Sequence, residues 1–173
     1  DLDSYQELYK WSIKQIPNFW SEILEYSQVK YSGDAENVLT ELEMKPGLKW
    51  FPNISLNFAE NLLKHKNDEL AIISKNENSD LVKITYNELY LSVAKLAYSL
   101  KKLGLKQGDR VAAVLPNSHE AVIAMLATTS IGAIWSSCSP DFGIASVSDR
   151  FKQIKPKFIF SIHSYYYNGC LLY

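Results

Sequence analysis

The residues whose types and spacing could support chemistry are concentrated in one run, Trp135-Ser136-Ser137-Cys138-Ser139-Pro140-Asp141-Phe142-Gly143. Ala133 to Cys138 is short, apolar and small-polar, the composition of a strand covered on both faces, and Ser139, Pro140, Asp141, Phe142 and Gly143 stop it abruptly. A helix is predicted to follow from Ile144 to Lys155. In open α/β sheets ligands gather in the crevice outside the carboxyl ends of the strands, and a strand, a Pro/Gly loop and a helix start in succession build such a crevice. An ordinary βα turn has the same composition and stands as the alternative.

Other chemistries find less support. Ser146 and Ser148 fall in the predicted helix, outside any G-x-S-x-G elbow and without a His and carboxylate arranged to activate them. The seven glycines form neither G-x-G-x-x-G nor G-x-x-x-x-G-K-[ST], so no dinucleotide fingerprint or Walker-type phosphate cradle is encoded. His65, His119 and His163 are scattered, and His119-Glu120 begins a zincin-like pattern whose second histidine is replaced by Ile123. No catalytic or metal-ligating residue is therefore expected. Glu41, Glu43, Asp68 and Glu69 lie in polar segments and read as solvated surface.

The elements that must position the loop follow from hydrophobic spacing. Leu8, Trp11, Phe19, Trp20, Ile23 and Leu24 suggest two short amphipathic helices separated at Pro17, the large aromatics serving as anchors. Leu56 to Lys64 reads as a short helix, with Ser55 or Asn53 available as its cap. Leu70 to Ser74 and Leu81 to Ile84 read as a hairpin joined by the polar turn Asn76, Glu77, Asn78, Ser79. Thr85-x-x-Glu88 is a capping box, and Leu89, Val93, Leu96, Ala97, Leu100 and Leu103 recur at helical spacing until Gly104. Val111 to Leu115 is a continuous apolar run, expected as a central parallel strand. Ser118 opens a helix to Ile131, and Lys157 to Ser161 gives the last strand.

The series is βαβαβ. It predicts an α/β fold, an incomplete doubly wound parallel sheet preceded by a helical, aromatic-rich N-terminal extension and a small hairpin. Residues 1–66 form the extension and residues 67–173 the first part of the α/β domain.

With 173 residues, 47% hydrophobic and 21% charged, the chain can bury one core, and its net charge of -1 lacks the basic footprint of a nucleic-acid or anionic-membrane partner. Ala121 to Trp135, the longest apolar stretch, is broken by Thr128, Thr129 and Ser130 and is too short to span a bilayer. The start Asp-Leu-Asp carries no visible secretory signal and no initiating Met. Cys138 and Cys170 make no disulfide framework, which fits a reduced, cytoplasmic setting.

The WSSCSPDFG run, with Asp149-Arg150-Phe151 and Gln153-Ile154-x-Pro156-Lys157 beyond it, closely resembles the acetoacetate-CoA ligases of the adenylate-forming acyl-CoA synthetase superfamily. Leu8-Tyr9-x-Trp11-Ser12, Phe19-Trp20, Trp50-Phe51-Pro52, residues 56–63 (LNFAENLL), Gly108-Asp109-Arg110-Val111 and Leu115-Pro116-Asn117-Ser118 follow in that family's order. The segment around Gly108 is widespread among such ligases; the WSSCSPDFG block is the specific one.

The resemblance implies a two-step reaction. ATP activates a carboxylate as an acyl adenylate with loss of pyrophosphate, and CoA thiol then takes the acyl group, Mg²⁺, a Lys and a Ser/Thr/Gly-rich loop carrying the charge. None of those elements is present, so the chain alone is expected to complete neither half-reaction. What the resemblance leaves is part of a CoA site: Ser139, Pro140, Asp141 and Phe142 near the pantetheine, and Tyr167, Asn168 and Gly169 near the nucleotide. There the family continues with Lys where this chain has Cys170, and a neutral thiol would weaken contact with a phosphate. Divergence at that point is what a frameshift or premature stop would produce, and an unpaired sheet edge would favour self-association.

Residues 165–173 alternatively read as a frayed tail. Acetoacetate as substrate rests on resemblance alone, and another short acid, or a noncatalytic α/β module with weak CoA or adenine-nucleotide affinity, remains open.

Overall fold

The computed structural model describes residues 3–41 and 45–172, so Glu43 of the acidic pair lies outside the described residues. The chain divides into two compact units, residues 1–57 and 58–173.

In the first unit Ser4 caps α1 (Tyr5–Lys14), its hydroxyl accepting the Glu7 N–H at 3.3 Å. Pro17 falls in the first turn of α2 (Ile16–Tyr26), where a missing N–H costs nothing, so the chain breaks at Gln15 just before it. The aromatics pack on one another: Trp11 on Phe19 and Phe19 on Trp20, both at 5.4 Å between ring centroids, and Trp20 on Trp50 at 5.5 Å, all edge to face. Two short strands, β1 (Ser32–Gly33) and β2 (Ile54–Ser55), pair antiparallel.

The second unit opens with α3 (Phe58–Leu62), shorter than the expected helix over 56–64. Next comes the expected hairpin, β3 (Leu70–Ser74) antiparallel to β4 (Val82–Thr85). The capping box at the start of α4 (Tyr86–Lys102) is formed in both directions: Glu88 N–H donates to Thr85 Oγ1 at 3.2 Å, and Thr85 N–H to the Glu88 carboxylate at 2.8 Å.

Alternation then gives β5 (Arg110–Val114), α5 (His119–Ser130), β6 (Ile134–Cys138), α6 (Ile144–Ile154) and β7 (Phe158–Ser161). The three strands are parallel in the order β6-β5-β7. Successive residues of β5 face opposite ways, as the pleat requires. Val111 joins a cluster with Leu89, Val93, Leu100 and Leu126 from α4 and α5, whereas Ala112 packs with Cys138 and with Phe151 of α6. Helices therefore lie on both faces, and Val111, Ala112 and Ala113 are buried between them. Lys157, just before β7, ties the amino ends of the strands together: its Nζ donates to Gly104 O at 2.6 Å and to Asp109 Oδ2 at 2.8 Å.

Two expectations need correction. β6 is not covered on both faces: Ile134 is 55% exposed and Ser137 is exposed, because β6 pairs with β5 alone and so stands at an edge. Nor does the alternative of a frayed tail hold for residues 165–172. β8 (Tyr165–Tyr167) and β9 (Cys170–Leu172) form an antiparallel hairpin closed by Asn168 and Gly169, both at positive φ (52° and 75°), the geometry of a two-residue primed turn.

Candidate functional site

The loop over residues 139–143 leaves the carboxyl end of β6 and enters α6. Phe142 N–H donates to Ser139 O at 3.2 Å, closing a turn around Pro140 and Asp141. Ser139 Oγ donates to Asp141 Oδ2 at 2.8 Å and accepts the Asp141 N–H at 3.3 Å. The other carboxylate oxygen, Oδ1, accepts the Tyr165 hydroxyl at 2.7 Å. With an O–H donor on each oxygen, first Tyr165 and then Ser139, the Asp141 carboxyl is held below the usual carboxylate range. The same bond to Asp141 pushes the Tyr165 phenol up, since ionising it would set two anions together.

This loop and the segment after β7 wall a cavity of about 430 Å³ at the carboxyl ends of β5 and β7. Val114, Pro140, Phe142, Ile144 and Val147 give it an apolar wall, and Ser148, Ser161, Ser164 and Tyr165 a hydroxyl-bearing rim. Behind Phe142 the Arg150 guanidinium lies 4.9 Å from the ring centroid while donating to the Ser146 carbonyl and hydroxyl. The cavity thus sets apolar side chains and hydroxyl groups side by side.

The remaining expected residues fall elsewhere. Tyr167, Asn168 and Gly169 occupy the β8–β9 turn and line neither this cavity nor a second of about 600 Å³ on the other side of Tyr165. The Asn168 and Gly169 N–H groups donate to the two oxygens of Glu77 at 2.8 and 2.9 Å, a carboxylate seated on two adjacent backbone donors. In the second cavity Ser118 and Glu120 stand at the start of α5. Burial pushes the Glu120 carboxyl up, but the Ser118 hydroxyl and its own backbone outweigh that and leave it lowered. No group of three or more His, Cys, Asp or Glu that could hold a metal occurs among the described residues.

Sequence reasoning missed Tyr165 and Glu77 as partners of the loops. The dipeptide Asn168-Gly169 was the available signal for the hairpin that brings both into place. Nothing local marks Glu77, whose partners lie 91 and 92 residues away.

The model of the AMP-binding enzyme family matches residues 58–168. The chain belongs to that family. Residues 5–62 match the family described as the acetyl-coenzyme A synthetase N-terminus.

Among curated proteins, the acetoacetyl-CoA synthetase of Gallus gallus is 48% identical over 171 residues, covering 97% of this chain and 26% of that protein. The acetoacetyl-coenzyme A synthetase of Rhizobium meliloti is 41% identical over 165 residues, covering 95% and 25%. A malonamoyl-CoA synthetase of Penicillium aethiopicum is 37% identical over 175 residues, covering 97% and 24%. The solved acetoacetyl-CoA synthetase from Streptomyces lividans superposes with a TM-score of 0.90 at 39% identity, covering 97% of this chain and 26% of that one.

The chain thus spans about a quarter of the length of the relatives it matches, and the resemblance carried by the WSSCSPDFG block is borne out.

Proposed function

We propose that this chain is the N-terminal part of an ATP-dependent acid-thiol ligase that joins acetoacetate to CoA through an acyl adenylate. The observation that carries the reading is the 41–48% identity to acetoacetyl-CoA synthetases over nearly the whole chain. In that reaction the carboxylate attacks the α-phosphate of ATP and pyrophosphate leaves. The CoA thiol then adds to the acyl carbon, AMP departs and the thiol proton passes to solvent.

The part assigned to this chain is to bind and orient the thiol-bearing arm of CoA. An apolar wall from Val114, Pro140, Phe142 and Val147 faces a rim of hydroxyls in a cavity of about 430 Å³, which fits pantetheine, an arm of methylenes interrupted by amides. Asn168 and Gly169 offer two backbone donors to an anion, a role consistent with the nucleotide end of CoA and with Tyr167 beside it; Glu77 holds those donors here. The described residues do not fit ATP and Mg²⁺, since they gather neither a cluster of hard oxygen ligands nor a glycine-rich cradle, and no step through those groups is assigned to them.

We also read the sheet as doubly wound. From β5 the chain steps to β6 through α5 on one face, then returns past β5 to β7 through α6 on the other, which is the condition for a crevice at the carboxyl ends. The open edges of β6 and β7 make self-association a further expectation, read by sedimentation of the purified chain. With Cys138 and Cys170 both free, the cytoplasm is the proposed setting.

Two measurements on the 173-residue chain test the reading. Calorimetric titration with CoA should show weak binding that Phe142→Ala removes. Acetoacetate-dependent exchange of pyrophosphate into ATP should be absent. Exchange by the chain alone would refute the assignment of the adenylation chemistry to other residues.

A further inference from the structure

The cavity has two walls that come from different parts of the sequence. One is the loop of residues 139–143, which contributes Pro140 and Phe142; the other is the segment after β7, which contributes Ile162, His163 and Ser164. Within the first wall the order is local: one backbone turn from Ser139 to Phe142, and the Ser139 hydroxyl folded onto Asp141. At its far end Gly143 caps α6 without any side-chain hydrogen bond. Such a loop has few restraints on where it sits against the opposite wall.

Tyr165 supplies one. Its ring lines the cavity, and its hydroxyl reaches across 24 residues of sequence to Asp141 Oδ1. Asp141 is thus bonded to its own wall through one oxygen and to the other wall through the second, so the two walls are bridged by a charge-assisted hydrogen bond. Ser139 Oγ, donating to Asp141 and accepting its N–H, holds the carboxylate in the orientation that Tyr165 meets.

We propose that Tyr165 is a positioning residue: through Asp141 its hydroxyl clamps the loop of residues 139–143 against the segment after β7 and sets the spacing of the two walls between which the thiol-bearing arm lies. The proposal rests on the reading of this cavity as the pantetheine site. Tyr165 itself need not contact the reacting atoms; it acts through the loop.

The test separates the clamp from that reading. Tyr165→Phe keeps the ring and removes only the hydroxyl; Asp141→Ala removes the acceptor. Calorimetric titration of the 173-residue chain with CoA should show each variant about tenfold weaker than the parent, the weight of one hydrogen bond to a charged acceptor. The double variant should be no weaker than either single one, because both changes break the same bond.

Melting temperatures should fall by no more than about 3–6 °C in either variant, the same tenfold weight expressed in the folded state, so both remain folded for the titration. Parent-like affinity in Tyr165→Phe, or losses that multiply in the double variant, would overturn the clamp. If the parent chain does not bind CoA, the pantetheine reading falls, and amide hydrogen exchange at Asp141 and Phe142 then judges the clamp. Exchange about tenfold faster in Tyr165→Phe supports it, and unchanged exchange refutes it.

Discussion

Two adjacent threonines on α5 should respond differently to the same substitution, one gaining stability and the other gaining none. Thr128 is fully buried, and its Oγ1 has no hydrogen-bond partner among the described residues; its neighbour Thr129 is partly buried and donates through Oγ1 to Met125 O at 2.8 Å. Replacing Thr128 by Val keeps the branched shape, exchanges a hydroxyl for a methyl and changes helix propensity little.

An unpaired buried hydroxyl carries a desolvation penalty of about 1–3 kcal/mol, so Thr128→Val should stabilise by about 1–2 kcal/mol once imperfect fit of the new methyl is allowed for. At roughly 2–4 °C per kcal/mol for a chain of this size, the melting temperature should rise by about 2–8 °C. Thr129→Val instead removes a formed bond, with an effect between nothing and a loss of about 1 kcal/mol. Urea unfolding of the two variants beside the parent, at unchanged m-value, reads both numbers. A Thr128→Val chain that is less stable than the parent, or indistinguishable from Thr129→Val, would refute the reasoning and mean that the Thr128 hydroxyl is satisfied in solution.

Two further outcomes follow from the turns around β5. Gly132 ends α5 at φ +78°, and a Cβ there would stand 3.0 Å from Gln107 Cγ, so Gly132→Ala should cost about 1–2 kcal/mol in the same urea assay, whereas a neutral result would mean that the turn can rearrange. The Asp109 carboxyl is held below its ordinary value of 3.8 by the Lys157 ammonium and then by the Lys106 N–H. A carboxyl lowered by folding contributes stability that is present above its unfolded pKa and lost as the pH falls through the folded one. The urea midpoint should therefore hold above about pH 4 and decline below it. Lys157→Met should flatten that acid limb, and an acid limb equally steep in the variant would show that other carboxylates carry it.

Much of the fold was legible because its cues are short in range. Thr85 and Glu88 announce the start of α4, the apolar spacing from Leu89 to Leu100 describes its buried face, and the unbroken run at Val111 marks β5 as central. Each of these is decided by residues within a turn or two, or by a strand's own burial on two faces. β6 misled for the same reason: small and apolar residues suit a covered strand, yet strand order, which put β6 at an edge, is not a local property.

The site divides along the same line. Sequence by itself determined that residues 139–143 end a strand, turn and start a helix, and through the WSSCSPDFG block it also pointed to the family. It could not determine that Tyr165 would meet Asp141, or that Glu77 would take the N–H groups of Asn168 and Gly169. Those partners lie 24 to 92 residues apart. They are brought together by two hairpins and the β6-β5-β7 order, and a hydrogen bond from a side chain to a distant segment leaves no periodicity in the chain that encodes it.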